Sequence, residues 1–124
     1  MSVLLDSVIL IDHLNGISAA TRYLESAEEA WISVIARAEV LAGLAPAAVK
    51  PVVEWLDRYP TLAIDRRTAD VAAALRRKHK WKLPDAFQAA LAQANGLKLA
   101  TRNTKDFPPR LHAFVMVPYS LGGS

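Results

Sequence analysis

The sequence predicts an α/β fold, a mostly parallel five-stranded sheet with helices on both faces. Three observations predict it. Short apolar stretches that read as strands alternate with longer stretches of helical periodicity along the whole chain, the pattern of consecutive crossover units. The first strand, Val3-Leu4-Leu5-Asp6-Ser7, starts with three apolar residues in a row, which suits a strand buried on both faces of a parallel sheet. The chain has 124 residues, 52% hydrophobic and 22% charged, enough for one core and too few for two. A single domain over residues 1–124 is expected, with no internal repeat and no linker.

The elements follow in order. Ser7 can cap a short helix to about Leu14, ended by Asn15-Gly16. Ile17 to Glu28 is a second helix, with Ala20, Tyr23, Leu24 and Ala27 at helical spacing. Trp31-Ile32-Ser33 is a short strand, and Ser33 caps a helix from Val34 to Leu44. Pro46 begins a helix that Tyr59-Pro60 stops, with Val52, Trp55, Leu56 and Tyr59 at i, i+3, i+4 and i+7. That stripe is either ordinary core or a dimerisation surface. Thr61 to Ile64 is the third strand, Thr68 to Lys78 a helix, and Lys80 to Leu83 a connection. Pro84 opens a helix closed by Asn95-Gly96. Leu97 to Thr101 and Phe114 to Val117 are the last strands, and the tail from Leu121 to Ser124 is expected to fray.

Composition excludes several classes of function. No stretch reaches the ~18 apolar residues of a membrane span. The apolar N-terminus has no basic flank and carries Asp6 and Asp12, so no signal peptide is expected and a cytoplasmic location is. Without cysteine there is no disulfide framework and no thiolate chemistry. His13, His79 and His112 are scattered, with no HxxxH pair for zinc, and His112 is expected at the surface. There is no G-x-S-x-G, no P-loop and no G-x-G-x-x-G. The net charge of +3 is mild, so where the charges sit matters more than their sum.

Four acids stand near strand ends or helix starts. Asp6 is placed at the carboxyl end of a central strand, where open α/β sheets put their ligand sites. Glu39 lies on the edge of an apolar stripe and is expected to be partly buried, which requires a partner. Asp85, next to Pro84, can serve as a plain helix-start acid. Asp106 can be a turn residue, and Asp12 reads as an exposed helix acid. If these acids converge they repel, by roughly 4 kcal/mol for two carboxylates about 4 Å apart at an effective dielectric near 20. That is a large share of the ~5–15 kcal/mol that keeps a domain folded. Bound protons, basic side chains or a hard cation, Mg²⁺ or Mn²⁺, must offset it.

The run Arg76-Arg77-Lys78-His79-Lys80-Trp81-Lys82 precedes Asp85. A solvated helix C-terminus explains Arg76 to Lys78. Lys80 and Lys82 flank Trp81 outside that helix, and cations interleaved with an aromatic can track a nucleic-acid backbone and stack a base. Arg76, Arg77, Lys80 and Lys82 are therefore candidate nucleic-acid contacts, which the resemblance below makes RNA contacts.

Four segments together resemble the PIN domain, in particular the VapC toxins of bacterial toxin–antitoxin pairs. They are Leu4-Leu5-Asp6-Ser7 with Leu10-Ile11-Asp12, Ser33-Val34-Ile35 leading to Ala38-Glu39-Val40-Leu41-Ala42-Gly43, Leu83-Pro84-Asp85-Ala86-Phe87-Gln88-Ala89-Ala90, and Ala100-Thr101-Arg102-Asn103-Thr104-Lys105-Asp106-Phe107. The resemblance implies a doubly wound sheet in the order 3-2-1-4-5 and a metal-dependent endoribonuclease using Mg²⁺ or Mn²⁺. It implies Asp6, Glu39 and Asp85 as catalytic metal-site acids, with Ser7 and Thr101 as supporting hydroxyls. It also implies a homodimer and a VapB-like antitoxin whose tail covers the active-site groove. The chain departs from the family pattern at Val8, where Asn or Ser is usual, and at Asn103, where many members have a fourth acid. Asp106 is the expected fourth ligand, with Asn103 assisting; if the chain turns helical after Thr101, the two share a face. Two rivals are a phosphoacceptor receiver-like domain, with Asp65 imitating the acceptor, and a non-catalytic RNA- or partner-binding module of the same fold.

Overall fold

The computed structural model describes residues 2–121. Its elements are β1 (Ser2–Leu5), α1 (Ser7–Leu14), α2 (Ser18–Ser26), β2 (Glu29–Ser33), α3 (Val34–Ala42), α4 (Pro46–Leu56), β3 (Thr61–Leu62), α5 (Arg66–His79), α6 (Leu83–Ala94), β4 (Lys98–Ala100) and β5 (Val115–Met116). The expected frayed tail, beyond Leu121, lies outside the described residues.

The strands form one sheet in the order β3-β2-β1-β4-β5, and each neighbouring pair is parallel. Leu4 pairs with Trp31 on one side and Leu99 on the other, so β1 is central. Its alternating side chains divide the core. Val3 and Leu5 pack with Leu10, Ile32, Ala36, Val40, Val52 and Leu56, whereas Leu4 packs with Trp81, Leu91, Leu99, Phe107 and Val115. Leu4 and Leu5 are fully buried, and each such side chain contributes roughly 1.5–3 kcal/mol.

Several boundaries shift, two of them through a capping side chain. The first strand stops at Leu5, not Ser7, because Asp6 is the N-cap of α1 and accepts the Ser7 N–H at 2.9 Å. The fifth helix starts before Thr68, because Asp65 caps it, accepting from both the N–H and the hydroxyl of Thr68 at 2.7 Å. That engagement takes Asp65 out of the acceptor role of a receiver domain. The third strand is only two residues long, so Ala63 and Ile64 leave the ladder. Ser33 caps α3 as expected, accepting the Ala36 N–H at 2.9 Å.

The stripe on α4 resolves as core. Val52 and Leu56 are buried, and Trp55 and Tyr59 pack against the same cluster. Among the described residues no helix is long and apolar enough to cross a membrane.

Candidate active site

β1 and β4 are neighbours in a sheet whose chain order reverses around β1, and their carboxyl ends open into a pocket of about 390 Å³. Asp6, Ser7, Val8, Asp85, Arg102, Asn103, Thr104 and Lys105 line it. Two acids, Asp6 and Asp85, and two basic residues, Arg102 and Lys105, are thus among the residues around one small space.

Asp6 is the best-held group. It is only 5% exposed. One carboxylate oxygen accepts the Thr101 hydroxyl at 2.7 Å. The other accepts the Ser7 N–H and, at 3.4 Å, the Gln88 amide. Burial raises its pKa above the ordinary value, and these donors pull the other way. Thr101 is fully buried and also accepts the Asn103 N–H at 3.0 Å, so one hydroxyl ties the end of β1 to the loop after β4.

Asp85 lies in the first turn of α6, behind Pro84. A plain helix-start acid would have its carboxylate stabilised and its pKa lowered. Instead the pKa is pushed up to about 6, first by burial and then by repulsion from Asp6, Asp106 and Glu39, with Lys82 opposing. Burial and like charge outweigh the helix dipole here. Glu39 is more open than the sequence suggests: it is exposed, which corrects the expectation of a part-buried residue. Surrounding protein still displaces enough water to raise its pKa, Asp6 adds repulsion, and the Ser7 hydroxyl set against it acts in the opposite direction.

Asn103 and Asp106 are joined in a turn, not a helix. The Asn103 amide donates to the Asp106 carboxylate at 3.0 Å, and the Asp106 N–H donates back to the Asn103 side-chain oxygen Oδ1 at 3.3 Å. Asn103 lines the pocket; Asp106 acts on Asp85 through its charge. Among the described residues no three Asp, Glu or His side chains are drawn into one ion-sized cage. The acids are close enough for Asp6, Asp106 and Glu39 to repel Asp85. All are oxygen donors, the chemistry that a hard divalent cation prefers.

The basic run is only partly free. Trp81 is 5% exposed and packs on Phe107 at 4.9 Å, and its indole N–H donates to the Asp106 carbonyl at 2.8 Å. It is a core residue, so it cannot stack a base as the sequence suggested. Arg76, itself exposed, donates to the Trp81 carbonyl at 2.7 Å, and Arg77, Lys80 and Lys82 are exposed around the end of α5. His112 is half-buried, with its ring against Trp81 and His79, rather than a surface residue.

Two groups escaped the sequence reading. Gln88 is 1% exposed and bridges Asp6 to Ser33, whose hydroxyl donates to the Gln88 side-chain oxygen Oε1 at 2.5 Å. Its spacing of three from Asp85 on one helix was the available signal. Asp12, expected to be exposed, is 4% exposed and paired with Arg102, whose Nε and Nη2 reach its two oxygens at 2.6 and 2.7 Å. The Tyr119 hydroxyl donates to the same carboxylate at 2.8 Å. Nothing local in the sequence links these three residues.

Comparison with known proteins bears on this arrangement. Residues 3–108 match the PIN domain. The chain is 37% identical to Ribonuclease VapC10 of Mycobacterium tuberculosis, with 86% of each chain covered. Among solved structures, a toxin–antitoxin complex from Klebsiella pneumoniae superposes with a TM-score of 0.87 at 36% identity, covering 97% of this chain and 100% of that one. FitAcB from Neisseria gonorrhoeae superposes with a TM-score of 0.76 at 25% identity, covering 96% and 99%.

Proposed function

The chain belongs to the PIN-domain family, and from that membership we propose that it is the toxin of a toxin–antitoxin pair, an endoribonuclease that depends on Mg²⁺ or Mn²⁺. The observation that carries the reading is the electrostatics of one point. Asp6, Asp106 and Glu39 all push on Asp85 beside a pocket that also holds Arg102 and Lys105. A stable fold has no need to gather acids in this way, and a hydrolytic metal site does.

Asp6, Asp85 and Glu39 would hold the cation, with Asp106 as the fourth acid and Asn103 assisting. When bound, the metal would activate water and stabilise the leaving oxygen of a phosphodiester. The protein's own part is orientation and charge. Thr101, Gln88 and the Ser7 N–H fix the Asp6 carboxylate, so it presents one geometry. Asp85, its pKa pushed up to about 6, would hold the cation as a carboxylate, with its proton displaced. No side-chain nucleophile is required. Arg77, Lys80 and Lys82 would hold the flanking RNA backbone. The Klebsiella relative is a toxin–antitoxin complex, which supports an antitoxin of the VapB kind as partner. A homodimer rests on family resemblance alone, since the α4 stripe is core.

The test is cleavage of single-stranded RNA by wild type and Asp6→Asn, each with a chelator and with Mn²⁺. Metal-dependent cleavage by wild type only is the expected result. Tight RNA binding without cleavage in any metal would return the protein to the non-catalytic module.

A further inference from the structure

The acids account for a metal, but a metal alone does not hold a phosphodiester in register. Arg102 and Lys105 are the cations lining the pocket, and Arg102 is built in. Its guanidinium is clamped edge-on by Asp12 through two hydrogen bonds, and Tyr119 donates to that carboxylate from the segment after β5. Asp12 comes from α1, the helix that Asp6 caps, and Arg102 directly follows Thr101, which binds Asp6. The cation is thus fixed relative to the acids from both ends. A guanidinium has five N–H donors; Asp12 takes two, and the Tyr119 hydroxyl also engages the group. About a third of the side chain stays open (31%), while Asp12 is sealed beneath it at 6%. Arg102 is also one of the residues that line the pocket with Asp6 and Asp85.

We infer that Arg102 binds the phosphate of the RNA strand in this pocket, and that Asp12 and Tyr119 are positioning residues that set its orientation. The inference rests on the nuclease reading and names the group that engages its substrate. The planar fork suits two phosphate oxygens, and Lys cannot replace it in kind. Asp12, although an acid near the site, belongs to this clamp and not to the metal set, because its charge is already matched.

The experiment is binding and cleavage of a labelled mixed-sequence 20-nucleotide single-stranded RNA by wild type, Arg102→Ala, Arg102→Lys, Asp12→Asn and Tyr119→Phe. Binding is measured by anisotropy with Ca²⁺ over a series of salt concentrations, cleavage with Mn²⁺, and folding by thermal melting. Arg102→Ala should bind about tenfold or more weaker, with a salt slope shallower by about 0.7, one lost contact on a single strand. Arg102→Lys should recover the salt slope but not full kcat, since charge returns without the fork. Tyr119→Phe and Asp12→Asn should lower kcat more than they raise KM. Arg102→Lys keeps the test open if the alanine variant does not fold. If folded Arg102 variants bind with wild-type affinity and slope and cleave at the wild-type rate, Arg102 is a structural tie between α1 and the loop after β4, and the inference fails while the nuclease reading stands. If wild type binds RNA in an Arg102-dependent way but never cleaves it, the nuclease reading fails and the phosphate site stands. If wild type neither binds nor cleaves, both fall.

Discussion

At the residue scale Asp85 decides most. Its folded pKa of about 6 lies above the ordinary 3.8. Between those values the folded chain holds more protons than the unfolded chain, so this residue's contribution to stability falls as pH rises through that window. Asp85→Asn carries no charge to repel. Without metal, its melting temperature should match wild type near pH 4 and exceed it increasingly towards neutral pH. Equal melting curves across the window would mean that the cluster does not act on Asp85. With metal, the same variant should fold normally and lose cleavage, because Asn keeps a helix-start oxygen but not the charge. The fourth acid is testable in the same way. Asp106→Asn should weaken Mn²⁺ binding, whereas Asn103→Asp should strengthen it or leave it unchanged; full affinity in Asp106→Asn would assign that position to Asn103 or water.

At the element scale the end of α5 shows a conflict between backbone and surface. Lys80 closes the helix with φ 59° and ψ 28°, a left-handed conformation that costs a non-glycine residue about 1–2 kcal/mol. Gly16 and Gly96, with positive φ of 80° and 64°, end their turns without that cost. Lys80→Gly should therefore stabilise the fold by about 1 kcal/mol, read from chemical denaturation. If Lys80 also contacts RNA, the same change should weaken binding and make its salt dependence shallower. Stabilisation with unchanged RNA binding would make the lysine a solvated cap. Trp81 lies under this turn and fills the core, so its position in the basic run was misleading: burial against Phe107, not the neighbouring charges, fixes it.

At the scale of the whole molecule, divalent metal links the site to stability. A ligand that binds only the folded state at a hundredfold excess over Kd contributes about 2.7 kcal/mol. Mg²⁺ or Mn²⁺ should raise the melting temperature by several degrees, and Asp6→Asn should blunt the rise. An identical response in both proteins would sink the clustered-acid site. Among the described residues the exposed large apolar side chains are Ile11 and Leu14 on α1, Val34 at the start of α3, Val71 on α5, Leu83 at the start of α6, and Leu111 in a loop. A two-fold dimer is expected from the family, and a monomeric mass at micromolar concentration would remove it.

The sequence by itself determined the alternation of strands and helices, because periodicity and capping residues are local. It also determined the position of Asp6, because an apolar run ending in a carboxylate reads as a buried strand opening into a site. Motif resemblance supplied the strand order and pointed to Glu39, Asp85 and Asp106. What only the tertiary structure decided are the pairings across long stretches of chain. Asp12 with Arg102 and Tyr119, Gln88 between Ser33 and Asp6, and Trp81 against Phe107 each join elements far apart in sequence. A buried acid and an exposed one look alike in a helical pattern. Burial and partner depend on which elements the sheet order brings together, and that order makes Asp12 part of a clamp and leaves Glu39 open to solvent.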